Sequence, residues 1–159
     1  MEQIFEELLR SLYQKNMEVF KKKLNLLKDI DYIDKDGRTL LMYAVLNEDN
    51  NFIIEILKRN PDVNRLDHVG KSASHYSISV HNLEILKNLI KAGGNINETD
   101  NNGNTLINDA VFISKGRGEI IEFLLKNGAD PKIENDYGVS AIDLAKTIAN
   151  YNIEQFFNT

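Results

Sequence analysis

The 159-residue sequence carries 19 Lys and Arg against 24 Asp and Glu, a formal net charge of −5, with 42% hydrophobic and 27% charged residues. That is the make-up of one ordinary soluble unit, and it lacks the basic excess that holds phosphate backbones by counterion release, which disfavours a nucleic-acid partner. With no cysteine, disulfides, thiolate metal sites and a cysteine nucleophile are excluded together, and a cytoplasmic location fits.

Residues 3–14 place Ile4, Phe5, Leu8, Leu9 and Leu12 on one face of a helix, with Glu2, Glu6, Glu7 and Arg10 opposite. This acidic, amphipathic start is unlike a basic, then continuously apolar, signal peptide. No run reaches the ~18 apolar residues of a membrane span, so the mature chain is expected to begin near Met1 and to have no membrane partner. A second helix is predicted over Met17 to Leu27, with Val19, Phe20, Leu24 and Leu27 on one face and Lys21, Lys22 and Lys23 forming a solvated one.

From Asp34 the chain repeats. An Asp or Asn, a Gly three residues on and a Thr or Ser two beyond recur at Asp34 (Gly37, Thr39), Asp67 (Gly70, Ser72), Asp100 (Gly103, Thr105) and Asn135 (Gly138, Ser140), the glycines 33, 33 and 35 residues apart. Such a period means a stacked array, with Gly supplying a positive φ in a turn and Thr or Ser capping the helix that follows. First helices are predicted at Thr39 to Leu46 and its equivalents, the last running from Ser140 to Ala149. Second helices carry Phe52, Ile53, Ile56 and Leu57; Leu83, Leu86, Leu89 and Ile90; and Ile120, Ile121, Leu124 and Leu125, rows that read as core. The first of them is predicted over Phe52 to Arg59, and Ile153, Phe156 and Phe157 mark a short final one. Asn60, Gly93 and Gly128 stand where a left-handed residue ends a helix.

These copies resemble ankyrin repeats. Asp67, Gly70, Ser72, His75, Leu89, Ile90, Gly93, Ile96 and Asn97 follow the family pattern in order, as do Asp100, Gly103, Thr105, Ala110, Leu124, Leu125, Gly128, Ala129 and Asp130. The resemblance runs from about residue 16 to the end. It implies an all-α ankyrin-repeat solenoid of about five stacked helix-turn-helix units with projecting hairpin loops, one domain over 1–159. Its parts are an N-terminal cap (1–33), full repeats (34–66, 67–99, 100–134) and a C-terminal cap (135–159). The sequence departs from the pattern in having no proline in the Thr-Pro-Leu-His box, and the box histidine survives only at His75, with Met42, Asn108 and Asp143 elsewhere. Ser74 and Ser77 replace a core Leu and Ala, and hydroxyls buried without partners make the second repeat the expected weak point.

No arrangement of residues argues for catalysis. The three histidines fall at unlike places in the repeat and lack helical metal-ligand spacing; His75 takes the family's structural box position. Asp100 to Asn104 has the wrong glycine and glutamate positions for a calcium loop. Ser114-Lys115-Gly116-Arg117-Gly118 lacks phosphate-loop spacing and reads as an enlarged inter-helix loop, with a partner contact as the alternative. Asn97-Glu98-Thr99 spells a glycosylation sequon with nothing else pointing to secretion.

The family resemblance implies recognition of another protein by hairpin tips and first-helix ends along a concave face. Carried over by position, that face comprises Lys35, Asp36, Arg38, Leu46, Asn47, His68, Val69, Lys71, Ser79, Val80, Asn101, Asn102, Asn104, Phe112, Ile113, Asp136, Tyr137 and Val139. Val69, Phe112, Ile113 and Tyr137 are the apolar members, to be read as partner anchors or, for Phe112 and Ile113, as packing under the neighbouring helix. The expected role is a non-enzymatic binding module without cofactor, a monomer when free. It resembles ankyrin-type bacterial immunity or antitoxin proteins that cover a basic toxin; the alternatives are an adaptor or effector fragment and, last, a metal-dependent enzyme built on histidines and carboxylates.

Overall fold

The computed structural model describes residues 1–148 and 151–157. Helix α1 (Glu2–Tyr13) pairs with α2 (Met17–Leu24), α3 (Leu40–Leu46) with α4 (Asn50–Leu57), α5 (Ala73–Ser79) with α6 (Leu83–Lys91), and α7 (Leu106–Ile113) with α8 (Glu119–Lys126). α9 (Ala141–Thr147) packs on a 3-10 turn at Glu154–Phe157. The first helices α1, α3, α5, α7 and α9 pack one on the next, giving the expected solenoid of helix pairs.

One hydrogen-bonding device builds every hairpin. Oδ1 of the leading residue accepts the backbone N–H groups two and four positions on: Asp34 from Asp36 and Arg38, each 2.9 Å; Asp67 from Val69 and Lys71, 3.0 and 2.9 Å; Asp100 from Asn102 and Asn104, 2.9 and 3.0 Å; Asn135 from Tyr137 and Val139, each 3.0 Å. A short side-chain acceptor is what this turn demands, hence Asp or Asn. Neighbouring hairpins are then stitched by His68 N–H to the Asp36 carbonyl (3.1 Å), Asn101 N–H to Val69 (3.3 Å) and Asp136 N–H to Asn102 (2.9 Å). Gly70 is required twice over: its φ is +77°, and a Cβ there would lie 2.4 Å from the Asn101 nitrogen. At Gly138 (φ +70°) a Cβ would meet nothing closer than Glu134 Oε2 at 3.9 Å.

The other edge of the stack has its own staple. Asp31, Asn64 and Asn97 each accept, through Oδ1, the backbone N–H of Asp62, Asn95 and Asp130 in the next repeat, at 2.9, 2.7 and 2.8 Å. Helix starts follow the capping expectation: Thr39, Thr105 and Ser140 accept from the N–H groups of Met42, Asn108 and Asp143. Asn60, Gly93 and Gly128 have φ of 51°, 100° and 90°, the helix-ending conformation expected of them.

Two apolar clusters fill the interior and meet in the second repeat. Phe5, Phe20, Phe52, Leu40 and Ile56 belong to the first, which reaches Tyr76 and Ile85; Ile78, Leu86, Leu106, Ile121 and Leu124 belong to the second. Phe20 and Phe52 meet edge to face at 4.7 Å. At the junction α5 buries Ser74, His75 and Ser77. The hydroxyl of Ser77 is not orphaned as expected, because it donates to the Ser74 carbonyl at 2.7 Å. Among the described residues of α5, a buried side-chain polar atom without a hydrogen-bond partner is instead His75 Nε2.

Several boundaries differ from the periodicity. α2 stops at Leu24 and continues as tighter turns, Leu26 N–H to Lys23 and Leu27 N–H to Leu24, which still bury Leu27. α4 starts two residues early because Asp49 caps Asn51 N–H at 3.1 Å, and it ends at Leu57 because the left-handed Asn60 turns the chain. α9 ends at Thr147, and Ala149, which was expected to close it, lies outside the described residues. The 114–118 loop packs at home: a Cβ on Gly116 would strike the Tyr151 ring at 2.8 Å and one on Gly118 the Phe156 ring at 2.2 Å. Its glycines admit the last segment onto the stack.

Candidate functional site

Two positions per repeat face the inner groove between successive first helices: the residue four beyond the turn's Asp, and the residue nine beyond it. Down the stack the first column reads Arg38, Lys71, Asn104, Val139 and the second Tyr43, Tyr76, Asp109, Leu144.

At its first end the groove is filled by the chain itself. The Tyr43 hydroxyl donates to Asp34 Oδ2 at 2.5 Å and the Tyr76 hydroxyl donates to Asp67. The Arg38 guanidinium lies over both rings, 5.9 Å from the Tyr43 centroid and 5.3 Å from that of Tyr76, with its Nε 3.7 Å from Asp67 Oδ2. Burial, then the facing carboxylate, pushes each phenol up to about 12. Burial also acts to raise Asp34, but the Tyr43 hydroxyl and the Arg38 and Asp36 amides outweigh it and hold that carboxyl below its ordinary value.

One repeat on, Lys71 Nζ reaches Asp109 Oδ2 at 3.4 Å. Burial raises the Asp109 carboxyl above its usual range even against the pull of Lys71 and His75. His75, behind it, is lowered by burial. Its Nδ1 accepts from Ser72 N–H (3.2 Å) and from the Ser72 hydroxyl (3.0 Å), leaving the proton on Nε2 beside, but not in hydrogen-bonding geometry with, the Asn104 carbonyl. Asn108, at the same place in the third repeat, makes the bond to the next repeat that His75 does not, its Nδ2 donating to the Val139 carbonyl at 3.3 Å.

Beyond Asp109 the groove opens into a cleft of about 540 Å³. Asn104, Asn108, Asp109 and Leu144 line it together with Phe112 and Tyr137, which are 73% and 77% exposed, the most exposed large apolar side chains described. Asp109, Asn108 and Leu144 were not among the residues expected from sequence. Comparing the second groove column across the copies is the signal that finds Asp109, a lone carboxylate below two tyrosines.

The expected binding residues divide. Lys35, Asp36, His68, Val69, Asn101, Asn102, Asp136 and Tyr137 lie exposed on the hairpins, and Arg38, Lys71 and Asn104 stand half-buried at their feet. Asn101 is committed to the stack, since its Nδ2 also donates to the His68 carbonyl at 3.0 Å. Ile113 is half-buried against the second apolar cluster while Phe112 projects outward, so the two neighbours take opposite roles. Asn47, at the end of α3, is half-buried. His68 lies against Gly37, His75 is inside α5, and His81 Nε2 contacts Glu119 Oε1 at 2.9 Å. Among the described residues no three His, Asp or Glu side chains gather as a metal set, and no helix is long and apolar enough to cross a membrane.

A family model of ankyrin repeats in three copies matches residues 4–100 and 41–135. The chain is 32% identical over 115 residues to a putative ankyrin repeat protein of fowlpox virus, FPV034, covering 72% of this chain and 26% of that one. It is 28% identical over 121 residues to the putative ankyrin repeat protein YahD of Escherichia coli, covering 72% and 60%. Over 77 residues it is 35% identical to the human neurogenic locus notch homolog protein 2, covering 48% and 3%. The chain thus spans less than two thirds of the length of these relatives. The chain belongs to the ankyrin-repeat family.

Proposed function

We propose that this protein is a non-enzymatic binding module that holds a partner protein along its inner face and acts by covering it, in the way an immunity or antitoxin protein covers a basic toxin. The observation that carries the reading is the pairing of Phe112 and Tyr137, each about three-quarters exposed, across a cleft floored by Asp109. A solitary chain gains nothing from holding two rings in water, whereas aromatic anchors with a polar surround are the usual centres of binding energy. Ankyrin repeats in general mediate protein–protein interaction, which supports the coarse reading. The net charge of −5 favours a basic partner. In this reading residues 34–66, 67–99 and 100–134 are the repeats proper, 1–33 and 135–159 close the two ends, the free protein is monomeric and cytoplasmic, and no cofactor takes part.

Replacing Phe112 and Tyr137 together with Ala tests it. Partner capture by the tagged chain is expected to fall by at least about 30-fold, a loss of about 2 kcal/mol, with the melting temperature within a few degrees of wild type. Undiminished capture refutes the assignment of the face. A captured partner whose activity the wild-type chain leaves untouched refutes the covering role.

A further inference from the structure

We propose that the cleft between the third and fourth repeats receives one arginine side chain of the protein partner, its guanidinium paired with Asp109 and lying against the Phe112 and Tyr137 rings. The proposal deepens, and rests on, the protein-binding reading.

The register of the repeat identifies the occupant. In the first inter-repeat groove the chain supplies its own cation, Arg38, over Tyr43 and Tyr76 and beside Asp67. In the second it supplies Lys71, which meets Asp109. In the third the same backbone position holds Asn104, a short neutral side chain whose Oδ1 accepts from Asn135 Nδ2 at the head of the next hairpin at 2.8 Å. The groove is empty there, and it is the cleft of about 540 Å³. What remains around it is an acceptor and two rings without the cation that fills the equivalent space one and two repeats earlier. The carboxylates lining the cleft, Asp100 and Asp109, outnumber its one cation, Lys71, by one charge. Asp100 is spent on the Asn102 and Asn104 amides; Asp109 shares its Oδ2 with Lys71 at 3.4 Å and, with its side chain 19% exposed, is the carboxylate that an incoming charge would meet alongside that lysine. A planar guanidinium suits this setting better than an ammonium, because it stacks on aromatic faces while its edge donates to a carboxylate. Arg38 shows the stacking within this same chain, its guanidinium lying over Tyr43 and Tyr76 with Nε 3.7 Å from Asp67 Oδ2.

The test uses the full chain and a capped peptide, acetyl-Gly-Gly-Arg-Gly-Gly-amide, followed by NMR. Citrulline and norleucine peptides serve as uncharged and apolar controls. Saturable shifts are expected at residues 104–113 and 135–139 at peptide concentrations on the order of 10 mM or below, with citrulline at least about tenfold weaker. Asp109→Asn should abolish them. Asn104→Arg should abolish them too and raise the melting temperature, because the new guanidinium fills the space from within. Equal shifts from citrulline or norleucine, undiminished arginine binding in Asn104→Arg, or no saturable shift would overturn the proposal. Partner capture that survives Asp109→Asn overturns the arginine assignment alone. Capture that survives the Phe112 and Tyr137 double replacement overturns the face itself.

Discussion

The first and last thirds of the inner groove are built on the same backbone and differ in a handful of side chains. Near α3 and α5, Arg38, Tyr43, Tyr76 and Asp67 form a closed ladder in which the guanidinium covers both rings and the Tyr76 hydroxyl meets Asp67. Near α7 and α9, the equivalent places hold Asn104, Asp109 and Leu144, and the groove gapes between two exposed rings. The stack tolerates both because the hydrogen bonds common to every repeat use the turn's Asp or Asn, backbone amides and the Asp31, Asn64 and Asn97 staples, while those of the groove columns differ from repeat to repeat. Those columns are free to be filled for stability at one end and left open at the other, where we propose that the partner binds.

The comparison is broken most severely at the hairpins. Gly70→Ala combines a strained positive φ with a 2.4 Å approach to the Asn101 nitrogen, and should cost about 2–5 kcal/mol in urea unfolding. Gly138→Ala meets only the strain and should cost about 1–2 kcal/mol. Equal losses would mean that stacking of successive hairpins contributes nothing.

Opening the closed end is the next largest effect. Arg38→Ala removes the cation from two tyrosine rings and leaves Asp67, 2% exposed at its side chain, with Tyr76 as its remaining side-chain partner among the described residues. A loss of about 1–2 kcal/mol is expected; no change in the unfolding midpoint would show that the ladder is decoration.

The smallest effects are set by pH and run in opposite directions at neighbouring residues. Burial lowers His75, so the stability it contributes is full above about pH 6.5 and is lost as pH falls from there through the folded value, at up to about 1.4 kcal/mol per pH unit. His75→Asn, the residue the chain itself uses at Asn108, should flatten that loss. Burial raises Asp109, so its contribution is present at low pH and lost as pH rises through the folded value. Asp109→Asn should therefore stabilise the chain at neutral pH by about 1 kcal/mol, the gain vanishing on acidification. Melting curves between pH 4 and 8 read both, and parallel curves for wild type and variants would refute these assignments.

Much of this was legible in the sequence. Asp34, Gly37 and Thr39 and their copies announce turn and cap because each acts locally, and the apolar rows of the second helices announce the core because they recur in register. Asp109 escaped because a single carboxylate on a helix reads as solvated, and only the tyrosines one and two repeats earlier reveal that its column faces the groove. The docking of Tyr151 and Phe156 on Gly116 and Gly118 was hidden because contacts some 35 residues apart leave no local pattern. Ser77 was misjudged because its partner is a carbonyl one helical turn away, which no side-chain pattern displays.

The central claim, that the inner face is where this protein meets its partner, is tested most directly by photo-crosslinking from single positions in living cells. A photoreactive residue at Val69 or Tyr137, on the inner hairpins, should join the chain to one and the same partner. The same residue at Lys22, exposed on α2, or Lys58, exposed just past the end of α4, should not. Crosslinks to that partner from Lys22 or Lys58, with none from Val69 and Tyr137, would contradict it.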